Sequence, residues 1–152
     1  MKFNLKKFII ITIITFVIGN LFVFFVMNNM DYYKTLDKPI DVPGIVFPIV
    51  WGILYLLMSI SYYIISNNTK DTNTKTIYWA QLIVNSLWTL LFFGLKAFLF
   101  SFLWIILLVV LVVIMIVKFY KVNKKAGLIQ IPYLLWLLFA GYLNLGIYLL
   151  NR

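Results

Sequence analysis

The sequence contains no cysteine, no histidine and no glutamate, and its only acids are Asp31, Asp37, Asp41 and Asp71. Without cysteine there is no disulfide framework and no thiolate metal site. Without histidine there is no Ser-His-Asp triad, no Cys-His pair and no His/Cys zinc site. A haem iron would find neither a His nor a Cys axial ligand. Charge is scarce as well: charged residues make up 11% of the chain, and the long apolar runs contain none. Proton-coupled transporters and ion pumps keep ionisable side chains at membrane depth, where they relay charge. Their absence from the runs argues against ion-coupled transport.

What remains is overwhelmingly apolar. Of the 152 residues, 64% are hydrophobic, against roughly half in a soluble domain. A water-soluble fold of this length has too little interior to hide so much apolar side chain. The bilayer is therefore the expected solvent. The net charge of +9 does not argue for nucleic acid, because the lysines cluster between apolar segments as topology signals do.

Five runs are long enough to cross a membrane, which takes roughly 20 residues. They cover about 8–27, 45–66, 77–95, 97–117 and 127–150. In lipid every backbone polar group needs an internal partner, so these runs are expected to be helices. The predicted fold is an all-α membrane protein, a five-helix bundle in one domain over 1–152. The basic start Met1–Lys7 imitates a signal peptide, but the run after it is too long and no small-x-small cleavage site follows. Asn28–Val42, with Pro39 and then Pro43, reads as a loop. Asn67–Thr76 reads as a polar turn, Lys96 as a very short one, and Lys118–Lys125 as a basic loop. With the N-terminus inside, nine lysines (Lys2, Lys6, Lys7, Lys70, Lys75, Lys118, Lys121, Lys124, Lys125) lie inside and four cations (Lys34, Lys38, Lys96, Arg152) outside. The positive-inside rule thus predicts a multi-pass protein with its N-terminus cytoplasmic and its C-terminus outside. The Ile/Lys/Asn-rich composition suggests an AT-rich bacterial genome.

Polar and aromatic residues inside the runs recur at helical spacing. Gln81, Asn85, Trp88 and Phe92 share one face of the third helix. Trp51, Tyr55, Met58 and Tyr62 do so on the second, and Trp136, Ala140 and Asn144 on the fifth. Singly, such residues are more often interface anchors or interhelical hydrogen bonds. Three such faces together can enclose an aromatic cavity with a few orienting polar groups, suited to a flat apolar ligand. Thr15-x-x-x-Gly19 and Ala97-x-x-x-Ser101 are small-residue pairs that permit close helix approach, within one chain or between copies.

At these residues the sequence resembles the TspO/MBR family, the tryptophan-rich sensory proteins that include the mitochondrial translocator protein. Three blocks carry the resemblance, which extends from about Tyr33 to the end. The first is Leu36-Asp-Lys-Pro39, Pro43-Gly-Ile-Val-Phe47 and Val50-Trp51-Gly-Ile-Leu-Tyr55. The second is Gln81-Leu82, Asn85, Trp88 and Phe92-Phe93. The third is Pro132-Tyr133, Trp136, Phe139-Ala140 and Leu143-Asn144. The first loop departs from the family form: Val42-Pro43 replaces two prolines, Ile45 replaces a tryptophan, and the loop is about one residue shorter.

The resemblance implies a five-helix bundle, often a homodimer, with a ligand cavity near the first loop. It implies binding of porphyrins, especially protoporphyrin IX, and of isoquinoline or benzodiazepine-type ligands. No resident cofactor is expected; the porphyrin is ligand or substrate. By the same matching, Phe47, Trp51, Tyr55, Asn85, Trp88, Phe92, Trp136, Ala140 and Leu143 would line the cavity. Lys38, Pro39 and Pro43 would form its lid. Trp51 and Trp136 would act in a light- and oxygen-dependent breakdown of the porphyrin. No metal site is implied. The implied role is a receptor that senses, scavenges or degrades tetrapyrroles, the alternative being a porphyrin transporter without ion coupling.

Overall fold

The computed structural model describes residues 2–152. Among them are five helices long and apolar enough to cross a membrane: α1 (Leu5–Tyr33), α2 (Val46–Asn68), α3 (Thr72–Gly94), α4 (Phe98–Val122) and α5 (Lys124–Leu150). The bundle closes in the order α1–α2–α5–α4–α3 and back to α1. All described residues are helix, turn or linker, as the all-α reading expects.

The helices are longer than the apolar runs that announced them. Residues 30–33 of the expected first loop are helical, and the linker is only Lys34–Ile45. The expected turn Asn67–Thr76 shrinks to Thr69–Asp71, and the expected basic loop near Lys118–Lys125 shrinks to Asn123. Two side-chain caps explain the last two differences. The Asp71 carboxylate accepts from the backbone N–H groups of Asn73 and Thr74 at 3.2 and 3.3 Å. Asn123 Oδ1 accepts from Ala126 N–H at 3.2 Å. Such caps satisfy first-turn donors that nothing inside the helix can reach. Hydropathy does not register them, because the residues around each cap are mostly polar or basic. The Thr74 hydroxyl, donating to Asp71 at 2.6 Å, is the main reason that carboxyl sits below the usual acid range.

Three helices are irregular, each for a local reason. Regular α1 stops at Gly19, and a turn at Asn20–Phe22 leads into short helical pieces up to Tyr33. Gly19 is needed because Tyr55 passes directly over it; a Cβ there would lie 2.4 Å from Tyr55 Cζ. The last turn of α3, Leu90–Gly94, is a π turn, with Leu95 N–H bonding Leu90 C=O at 2.9 Å. Lys96 then ends the helix at φ 52°. α5 breaks at Gln130, two residues before Pro132, whose ring lacks an N–H and crowds the carbonyl four residues earlier.

The core lies along the bundle axis, where Tyr78, Met58, Leu82, Met115, Phe119 and Tyr133 are almost fully buried. Side chains of α1 and α4 such as Ile13, Val17, Leu103 and Val110 stay exposed, as lipid-facing positions should. Both small-residue pairs serve contacts inside this one chain. Thr15 hydrogen-bonds Tyr78 at 2.6 Å beside the Gly19–Tyr55 approach. Ser101 hydrogen-bonds Asn144 at 3.0 Å.

Candidate functional site

A cavity of about 800 Å³ lies between the helices at the end of the bundle that carries the Lys34–Ile45 linker. That volume falls within the roughly 300–1,000 Å³ of small-molecule sites. α2 contributes Phe47, Trp51 and Tyr55, α3 contributes Asn85, Trp88 and Phe92, and α5 contributes Trp136, Ala140 and Leu143. All nine wall residues expected from the sequence therefore border one space. Lys38 and Pro43 border its mouth. Pro39 does not; its ring packs on Gly146 instead, where a Cβ would lie 2.4 Å from Pro39 Cγ.

The wall is held by hydrogen bonds that consume most of its polar groups. Tyr55 donates its hydroxyl to Gly19 C=O at 3.0 Å and stacks on Trp51 at 5.6 Å and 29°. Asn85 Nδ2 donates to the Tyr133 hydroxyl at 2.9 Å, and that hydroxyl donates to Gln81 Oε1 at 2.7 Å. Asn144 is the busiest node. Its Oδ1 accepts from Trp88 Nε1 and Ser101 Oγ, both at 3.0 Å, while its Nδ2 donates to Phe98 C=O at 2.8 Å. Trp88 is thereby pinned, and it stacks on Phe92 at 5.0 Å and 25°. Two wall residues keep a buried polar atom unpartnered: Tyr33 at its hydroxyl and Trp136 at Nε1.

The charged wall residues, Asp31, Lys34, Lys38 and Asp41, all lie at the mouth. Lys34 pairs with Asp31 at 3.3 Å, largely in solvent. Lys38 Nζ donates to the carbonyls of Tyr33 and Leu36 at 3.1 and 3.0 Å and lies 4.8 Å from the Tyr33 ring centroid. An ammonium has three donors, so Lys38 retains one for an anionic group at the mouth. The linker is also tied to the end of α5. Asn151 Oδ1 accepts from Asp37 N–H at 3.0 Å, and its Nδ2 donates to Asp37 C=O at 2.8 Å.

Across residues 8–150 the sequence fits the family described as TspO/MBR. The chain belongs to this family. It is 38% identical to the protein CrtK of Rhodobacter capsulatus over 79% of this chain and 78% of that one. It is 37% identical to the tryptophan-rich protein TspO of Archaeoglobus fulgidus over 97% of this chain and 99% of that one. It is 28% identical to the translocator protein of Bos taurus over 77% of this chain and 73% of that one. Five long apolar helices and TspO/MBR membership together make it an integral membrane protein.

The wall contributed by α1 was not foreseen. Phe16, Gly19, Asn20, Val23, Met30 and Tyr33 border the cavity. Hydropathy reads this helix as a plain span. Two signals pointed to more: the Thr15/Gly19 pair, and Asn20 interrupting an apolar run. The π turn was equally hidden, though it brings Phe92 and Phe93 onto the wall together.

Proposed function

We propose that the cavity binds porphyrins, with metal-free protoporphyrin IX the best-fitting ligand, and that the chain is a membrane receptor that senses, scavenges or degrades tetrapyrroles. The observation that carries this reading is one largely apolar cavity bordered by Phe47, Trp51, Trp88, Phe92 and Trp136. A flat macrocycle stacks on indole and phenyl faces, each offset stack contributing about 0.5–1.5 kcal/mol beyond burial. Its propionates would lie toward Lys38, at the mouth. A chain without His or Cys suits a porphyrin that asks for no such axial ligand. The names of the relatives, a tryptophan-rich protein TspO and a translocator protein, fit a membrane-embedded small-molecule site.

The proposal extends to light-dependent degradation. An excited porphyrin can take an electron from a neighbouring indole or pass its energy to dioxygen, so no acid–base pair is needed. Trp51 and Trp136 stand on two different helices around the space, and they are the proposed catalytic residues. Facilitated transport is the second reading. It is favoured by the confinement of wall charges to the mouth, which leaves the deep wall neutral and ion coupling without a carrier. In that reading the N-terminus is cytoplasmic and the mouth faces outward.

The test is a titration of the detergent-purified protein with protoporphyrin IX, following tryptophan quenching in the dark and porphyrin absorbance under light. Saturable quenching is expected, and its absence would overturn the binding reading. Bleaching that survives Trp51→Phe combined with Trp136→Phe would remove the catalytic role of those indoles. Binding without any bleaching would leave a sensor or carrier, which efflux from liposomes distinguishes.

A further inference from the structure

Trp136 borders two spaces. One face meets the cavity, and another lines a groove of about 390 Å³ on the outside of the bundle. Ile53 and Leu57 of α2 and Pro132, Leu135 and Phe139 of α5 also line that groove, and none of its lining residues is charged. Ile53 and Leu135 on its rim are 54% and 61% exposed, toward the acyl chains if the bundle stands in a bilayer. The seam is loose for a structural reason. α2 packs closely on the Lys124–Ile129 base of α5, but above the Gln130 break its contact with Ile131–Leu150 is sparse. Side chains alone close the gap. Phe47 meets the Trp136 ring edge-on at 6.0 Å and 66°, and Trp51 meets Tyr133 at 6.2 Å and 71°, while Phe139 flanks Trp136 on α5 itself at 5.4 Å.

The indoles of this chain are not equally free. Trp79 donates its N–H to Tyr62 at 3.1 Å, Trp88 to Asn144 at 3.0 Å and Trp104 to Val84 C=O at 2.8 Å. Among the described residues no hydrogen bond holds the N–H of Trp51 or of Trp136, and of these two only Trp136 also borders the groove. Rotation of Trp136 therefore breaks no hydrogen bond, and it would connect the groove with the cavity. The linker beside the mouth is tied down, although by residues that do not border the cavity: Asn151 holds Asp37 through both its N–H and its C=O, and Pro39 sits on Gly146.

We infer that the α2–α5 seam is the port through which a planar aromatic ligand dissolved in the bilayer reaches the cavity, with Trp136 as its swinging door. This rests on the small-molecule reading of the cavity above. A gate on the path changes rates in both directions and leaves the equilibrium alone, because it stabilises neither end state.

The experiment uses the full chain in phosphatidylcholine liposomes preloaded with protoporphyrin IX, with porphyrin emission followed in time. Ile53→Trp with Leu135→Trp fills the groove from residues outside the cavity wall. Association and dissociation rates should both fall about fivefold or more, with unchanged affinity. Ile53→Ala with Leu135→Ala should raise both, and carries the test if the bulky pair fails to fold. Asn151→Ala, which frees the linker at Asp37, should leave the rates unchanged. Rates that ignore both groove pairs, or that rise only when the linker is freed, overturn the port. Lost affinity at unchanged rates of approach would also overturn it. No saturable binding by the unaltered protein would instead overturn the cavity reading itself.

Discussion

Gly19→Ala should weaken ligand binding more than it weakens the fold. The added methyl would lie 2.4 Å from Tyr55 Cζ, 2.6 Å from Cε1 and 2.8 Å from the hydroxyl. No real contact is that short, so the ring must move. Overpacking of this kind costs about 1–3 kcal/mol in a tight core. Losing the Tyr55–Gly19 hydrogen bond adds about 0.5–1.5 kcal/mol, while alanine returns up to about 1 kcal/mol of helix propensity. The ring nevertheless has somewhere to go, because Tyr55 borders the 800 Å³ cavity. Swinging inward relieves the clash and keeps the net destabilisation near 1–2 kcal/mol. It also takes space from the ligand and undoes the Trp51–Tyr55 stack.

The expected result is a fall of a few degrees in melting temperature with at least a tenfold weaker affinity for protoporphyrin IX, a loss of about 1.4 kcal/mol. Thermal melts in detergent and tryptophan-quenching titrations read the two quantities separately. Gly52→Ala is the matched control. Its Cβ would meet nothing within 4 Å although Gly52 also borders the cavity, so stability should hold or rise and affinity should change little. Equal effects from the two substitutions, or Gly19→Ala with unaltered affinity, would refute the reasoning.

Asn144→Leu strips Trp88 Nε1, Ser101 Oγ and Phe98 C=O of their shared partner; a loss of about 1–3 kcal/mol and a shifted tryptophan emission are expected, checked by melts and fluorescence. Asp71→Asn tests the cap of α3. The folded carboxyl lies below the usual acid range, chiefly through the Thr74 hydroxyl, so its stabilisation is full above the unfolded pKa and fades as pH falls through the folded one. Melts between pH 7 and 3 should therefore lose part of their acid sensitivity in the Asn variant, while the unaltered protein drops below about pH 4. Asn151→Ala should speed amide exchange at Asp37, whose N–H it frees, with little change in melting temperature.

Much of the fold was written in hydropathy, since a run of twenty apolar residues without charge has few alternatives in lipid. The helix ends were not. Thr72–Thr76 and Lys118–Val122 are helical although polar or basic, because a cap decides where a helix begins and it depends on one side chain at one position. At the site, helical spacing grouped the aromatic and amide faces of α2, α3 and α5, and most of those residues border one space, but Gln81, Met58 and Tyr62 lie off it in the packed core. Spacing could not reveal α1 as the fourth wall. That role depends on Tyr55 reaching across to Gly19, a contact between helices that no single run encodes. Nor could it show that Pro39 packs on Gly146, since a proline in a loop signals only that the loop turns.

The polar accounting around the cavity constrains what such a site can distinguish. Tyr55, Asn85 and Trp88 are on the wall, yet their donors are already given to Gly19, Tyr133 and Asn144. A site rejects a near-isostere strongly only when that isostere leaves a buried polar group unpaired. Here the fully buried wall atoms left unpaired are Trp136 Nε1 and the Tyr33 hydroxyl, and the Trp51 indole N–H and the Thr89 hydroxyl on the wall are also unbonded among the described residues. Selection therefore comes mainly from shape, from stacking area and from a few free donors, the indole N–H groups of Trp51 and Trp136 in the wall and Lys38 at the mouth. Those terms favour any rigid aromatic sheet of the right thickness and penalise flexible chains, which lose rotational freedom on entering. Porphyrins that differ only in their peripheral vinyl or ethyl groups should bind within a few fold of one another. Converting the propionates to esters should act mainly at the mouth, and Lys38→Met should erase the difference between acid and ester.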